Sequence, residues 1–186
     1  MQLKFHNLTK KWPEFFIGTF DFELPPGSTL AVIGPNGAGK TTFFEMLTGS
    51  IDASSGEVLF DENQMGIKSF DLKQKIGYLP QNLNLPEWLS GKDLLHYAAS
   101  LYGLKSREII NQQIDTWQMQ RYISIPTKHC SHGMKKRIGL ALALLHDPQV
   151  LILDEPFSGL DILHTRTLTE KISKRTKEHK TTLLSS

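Results

Sequence analysis

The run Gly34-Pro35-Asn36-Gly37-Ala38-Gly39-Lys40-Thr41 fits the spacing G-x-x-x-x-G-K-[S/T]. Glycines at these positions let the chain fold into a tight loop whose backbone N–H groups converge on an anion. A helix opening directly after the loop adds the positive end of its dipole to the same point. Lys40 then supplies a point charge for the outer phosphates of a nucleotide, and the Thr41 hydroxyl is placed to ligate Mg²⁺. Thr42 offers a further phosphate contact. A second chemical pair stands at Leu151-Ile152-Leu153-Asp154-Glu155, where two carboxylates follow an apolar run. Asp154 suits a magnesium partner and Glu155 a general base that orients and activates water. Two adjacent acids alone could be a solvated turn. Beside a phosphate loop they read as a metal-and-base pair.

Those groups need rigid elements behind them. Short strands are expected at 2–8, 19–24 and 29–33, with Pro25-Pro26-Gly27 turning between the last two. A helix over 39–47, closed by Gly49, would carry Lys40 and Thr41, with Phe43, Phe44 and Leu47 on its core face. Further strands are expected at 57–60 and 75–79. From 90 to 146 the pattern turns helical, with helices at 93–102, 106–118 and 131–146. Val150-Leu151-Ile152-Leu153 is too short for a helix and has the continuous apolarity of a central parallel strand. A helix over 160–178 and a last strand over 181–186 complete the order. Strands at both ends around a helical block predict one α/β domain, its core about 1–85 and 148–186 and its helical subdomain about 86–147.

The 186 residues suffice for one core and not for two full domains. The formal net charge is +2 and the densest basic run is Lys135-Lys136-Arg137. No basic stripe therefore speaks for a nucleic-acid partner, and none is expected. The single cysteine, Cys130, permits no internal disulfide, so a reducing cytoplasmic setting is the default. No window approaches the roughly 20 apolar residues of a membrane helix.

Three further segments narrow the reading. Ser131-His132-Gly133-Met134-Lys135-Lys136-Arg137 resembles the signature L-S-G-G-Q-x-x-R of the ATP-binding cassette (ABC) family. Asp154-Glu155-Pro156 with Phe157-Ser158-Gly159-Leu160-Asp161 resembles its D-loop, and Tyr78-Leu79-Pro80-Gln81 its Q-loop. With the phosphate loop, these stand in the family's order over essentially the whole chain, and the sequence resembles an export-type ABC transporter ATP-binding subunit. The resemblance implies a P-loop (RecA-like) α/β core with an antiparallel β subdomain and a helical subdomain. It also implies a head-to-tail dimer holding two ATP molecules with Mg²⁺, each nucleotide lying on one chain's loop and under the other's signature. By carry-over, Gly34, Pro35, Asn36, Gly37, Ala38, Gly39, Lys40, Thr41 and Thr42 hold phosphate, and Thr41, Gln81 and Asp154 hold the metal. Glu155, Gln81 and Lys40 serve catalysis, Ser131 and Gly133 meet the partner's nucleotide, and Asp161 crosses the interface.

Trp12 lies where the family has an aromatic that stacks on adenine; Phe15 or Phe16 could take that place, and a core tryptophan is the competing reading. Ser131 suits an N-cap, leaving first-turn N–H groups for an anion. Lys135, Lys136 and Arg137 fit either a nearby polyanion or a solvated basic face. The family's partners would be an integral membrane permease and a second cassette, at the inner face of the cell membrane. The alternatives are a soluble, non-transport ABC ATPase and a cassette that binds ATP with little hydrolysis. Cys130, His132 and Met134 depart from the signature. The family's switch histidine would follow 181–186, where the sequence given stops, so reduced turnover is expected.

Overall fold

A computed structural model describes residues 1–61 and 70–186. Two sheets form its frame. In the antiparallel sheet, ordered β2-β1-β4, β1 (Leu3–Trp12) lies between β2 (Phe15–Leu24) and β4 (Ser55–Phe60). The parallel sheet is ordered β3-β7-β6-β5, from β3 (Thr29–Val32), β7 (Thr181–Ser185), β6 (Val150–Leu153) and β5 (Ile76–Leu79).

The first hairpin is longer than the sequence suggests. Pro13 and Glu14 form the turn, and Trp12 pairs directly with Phe15. Register shifts between Phe5 and Leu8 and between Leu8 and Lys10 break the two-residue alternation by which a strand is recognised.

Helices fill the connections: α1 (Lys40–Thr48), the single turn α2 (Phe70–Lys73), α3 (Gly91–Leu101), α4 (Arg107–Thr116), α5 (His132–Leu144) and α6 (Ile162–Lys177). Most starts are capped by a side chain. The Ser90 hydroxyl accepts from the Asp93 amide at 3.1 Å and the Asp93 carboxylate accepts from the Ser90 amide at 3.0 Å. Ser131 accepts from the Met134 amide at 3.3 Å, and Asp161 from the His164 amide at 2.9 Å. Each such cap contributes about 1 kcal/mol. Gly49, at φ 68°, closes α1 in the left-handed conformation.

The core lies on both faces of the parallel sheet. Val150 and Ile152 of β6 point to a cluster with Phe5, Phe43, Phe44, Phe60 and Leu183. Leu151 and Leu153 point the other way, among Leu79, Leu95, Trp117, Ile138 and Leu168 of the helical side. All four β6 side chains are fully buried, which is why β6 reads as unbroken apolar sequence. Strands so fixed deliver their C-terminal ends to one edge, beside the start of α1.

Truncation of a fully buried isoleucine removes its transfer free energy and leaves a void. Ile152→Ala is therefore expected to lower unfolding free energy by about 2–5 kcal/mol in a denaturant titration; a loss under about 1 kcal/mol would contradict the central place of β6.

Candidate functional site

At the C-terminal end of β3 the chain turns through residues 34–39 into α1. Gly37 and Gly39 take φ of 81° and 90°, where side chains are strained. An added Cβ at Gly39 would also press on the Ile17 side chain, which would have to shift. As the N-cap of α1, Gly39 offers no capping side chain, so the first-turn N–H groups stay available to an anion. Lys40 is only 9% exposed, and its Nζ donates back to the Gly34 and Pro35 carbonyls.

Two strands over, β6 leads into Asp154, which is fully buried. Its amide continues the ladder by donating to the Leu79 carbonyl at 2.9 Å. The Thr41 hydroxyl donates to Asp154 Oδ2 at 2.6 Å and lies 3.3 Å from Gln81 Oε1. From β7, the Ser185 hydroxyl donates to Asp154 Oδ1 at 2.6 Å and accepts from the Glu155 amide at 2.7 Å. Glu155 sits at φ 44°, a left-handed conformation for a non-glycine residue. Such conformations cost of order 1 kcal/mol and persist where surrounding structure imposes them. The sharp turn buries one acid and leaves the next lining the cleft.

Burial pushes the Tyr78 phenol far above its ordinary range, with Asp154 and then Glu45 adding to the shift. Lys136 of α5 is 2% exposed; burial lowers its pKa, and the charges of Asp154 and Glu155 oppose that shift. The sequence left Lys135-Lys136-Arg137 as a solvated basic face or the neighbour of a polyanion. For Lys136 the solvated face is wrong, because its side chain is buried within the field of the acid pair.

A cavity of about 420 Å³ opens here, lined by Phe15, residues 35–42, Gln81 and Glu155. A smaller one of about 250 Å³ shares Asn36, Lys40 and Glu155 with it and is also lined by Gly34, Phe157, Ser158 and Ser185. Two of the aromatics expected at the adenine site, Trp12 and Phe15, stand side by side across the hairpin turn. Phe15 lines the cleft, whereas Trp12 stands beside it with ring centroids 6.0 Å apart and the Lys10 ammonium over its ring. The two-residue turn seats Phe15 beside Gly39 and pairs Trp12 with it across the hairpin.

Ser131, Gly133 and Asp161 do not line either cavity. Ser131 and Asp161 cap their helices, and Gly133 has a packing reason to be glycine: an added Cβ would fall 2.7 Å from the Gly159 carbonyl oxygen. Ser185 was missed in the sequence. Its only signal there is a hydroxyl residue ending an apolar strand, and pairing with the Asp154 carboxylate becomes visible only when β7 is laid beside β6.

Residues 17–158 match the family model described as ABC transporter. This chain belongs to the ABC transporter ATP-binding family. The cassette is 33% identical, over 99% of its length, to the lantibiotic transport ATP-binding protein SrtF of Streptococcus pyogenes, and covers 79% of that protein. It is 35% identical to the ABC transporter ATP-binding protein YhcH of Bacillus subtilis over 95% of its length and spans 58% of YhcH. It spans 7% of the mouse glucosylceramide transporter ABCA12, at 31% identity. A solved ATP-binding subunit of an ABC transporter superposes on the whole chain with a TM-score of 0.89 at 27% identity, the chain covering 79% of it. The α/β fold, with its separate antiparallel sheet, is thus that of a P-loop ATPase.

Ser185→Ala leaves a buried carboxylate oxygen and the Glu155 amide each without a partner. The cassette is expected to lose about 1–3 kcal/mol of stability in denaturant unfolding, and an unchanged midpoint would contradict the hydrogen-bond assignment.

Proposed function

We propose that this cassette binds MgATP at the edge of the parallel sheet, hydrolyses it in a head-to-tail pair, and thereby powers an integral membrane permease. The observation that carries the reading is the meeting of the phosphate loop, Gln81 and Glu155 around one cavity, with Thr41 bonded to Asp154 at its floor. The donor set fits its ligands. Positive-φ glycines and uncapped amides suit phosphate, and hydroxyl, amide and carboxylate oxygens suit a hard divalent cation.

In this reading residues 34–42 cradle the phosphates, and Lys40 leaves its loop carbonyls for the outer phosphate oxygens. Thr41, Gln81 and Asp154 hold magnesium, which when bound neutralises charge on the transferring phosphoryl group. Glu155 orients water and takes its proton. Phe15 offers the flat apolar face for adenine. Ser131 and Gly133 meet the nucleotide held by a second cassette, and Asp161 lies at the contact between the two. Residues 1–85 with 148–186 act as the core, and 86–147 as the helical subdomain against which the permease docks.

The relatives support transport over a nucleic-acid role, since SrtF is a lantibiotic transport ATP-binding protein. Among the described residues no helix is long and apolar enough to cross a membrane. In this reading a permease does the spanning and the cassette works at its cytoplasmic face.

Equilibrium binding of MgATP tests the site. Lys40→Ala removes a charge-assisted contact worth about 1.5–3 kcal/mol, so affinity is expected to fall about 10- to 100-fold. Glu155→Gln should bind MgATP as the parent does while steady-state hydrolysis drops about 100-fold or more. No saturable MgATP binding by the purified chain would overturn the reading. Binding with turnover indifferent to Glu155→Gln would reduce the cassette to a nucleotide-dependent scaffold.

A further inference from the structure

His164 joins two segments that neither cavity contains. Its side chain is buried, in the first turn of α6. Nδ1 lies 2.7 Å from Asp161 Oδ1, the same oxygen that accepts from the His164 amide at 2.9 Å. On the other side of the ring, Nε2 lies 3.2 Å from Arg137 Nη1. A guanidinium only donates, so Nε2 must accept and Nδ1 must carry the proton donated to Asp161. The two partners therefore fix one tautomer of the ring.

Arg137 is held in turn. Its Nε donates to the Gly133 carbonyl at 3.4 Å, its Nη1 reaches the Trp117 carbonyl at 3.5 Å, and its guanidinium carbon stands 4.9 Å from the centre of the Tyr122 ring. A chain of contacts thus runs from the buried end of α4 through Arg137 and His164 to Asp161. Backbone packing runs parallel to it. An added Cβ at Gly133 would fall 2.7 Å from the Gly159 carbonyl oxygen, so the start of α5 and the turn before α6 lie in close contact.

We propose that His164 is a positioning residue, whose two ring nitrogens lock the turn carrying Asp161 to the start of α5 carrying Ser131 and Gly133. The inference rests on the two-cassette reading above. In that arrangement both segments face the second copy, and a rigid link presents them together, so that a nucleotide closing on Ser131 also sets Asp161. Neither half of the link suffices. The Asp161 side caps α6, and the Arg137 side anchors the signature turn to the helical layer.

Two near-isosteric substitutions separate the halves. His164→Asn keeps a donor toward Asp161 and loses the acceptor for Arg137; His164→Gln reaches Arg137 and gives up the bond to Asp161. Amide hydrogen exchange of the intact chain needs no nucleotide. Both variants, like His164→Ala, are expected to exchange about tenfold faster at 132–135 and at 159–161 together, about 1.4 kcal/mol of local protection. MgATP-driven self-association should weaken by a similar factor while the affinity of a single cassette for MgATP stays within about twofold. If His164→Asn behaves as the parent, or each variant loosens only the segment whose bond it loses, the residue is a local cap and the proposal is overturned. Failure of the parent to bind MgATP would instead remove the ATP reading, and would leave the exchange pattern to stand or fall separately.

Discussion

The buried carboxylate of Asp154 is the constraint on which the site depends. An ionised acid withdrawn wholly from water costs several kcal/mol unless its oxygens are satisfied. Here each oxygen accepts a 2.6 Å bond, one from Thr41 at the start of α1 and one from Ser185 on β7. Short bonds to a charged acceptor are among the stronger ones in a protein. They also fix position: the helix after the phosphate loop, the tip of β6 and the end of β7 are stitched at a single atom group, with the buried Lys136 within the field of the same acid.

That stitching explains the division of labour between adjacent acids. The side chains of a strand alternate, so the residue after Asp154 would naturally face away. The left-handed turn at Glu155, held by the hydrogen bond its backbone N–H donates to the Ser185 hydroxyl, redirects the chain and places Glu155 on the cavity wall. The strain is local and is offset by core strands buried on both faces. Such placement at the carboxyl edge of a parallel sheet is the general geometry of ligand sites in this architecture.

Much of this was legible in advance. The phosphate loop declared itself because its glycines answer a backbone requirement that no other residue meets as well, seen at Gly37 and Gly39, whose φ of 81° and 90° strains any side chain. β6 was legible because burial on both faces leaves an unmistakable apolar run. The hairpin was underestimated, since its register shifts break the alternation. Trp12 and Phe15 both answer the expectation of an aromatic beside the nucleotide, and only the turn geometry shows that Phe15 lines the cleft with Trp12 next to it.

Sequence alone determined the chemistry available: a lysine and a threonine after a glycine-rich loop, two acids after a buried strand, and a serine cap at a helix start. Each follows from local rules of backbone conformation and side-chain type, and local rules are written in neighbouring residues. Tertiary structure alone decided which groups meet. Ser185 reaches Asp154 across 31 positions, Lys136 is buried within the field of the same acid, and His164 links Arg137 to Asp161. Those pairings depend on the order of strands in the sheet and on the reach of Arg137 from α5 to the first turn of α6. Hydrogen bonds and charges act over a few ångströms in space, and separation along the chain does not encode that distance.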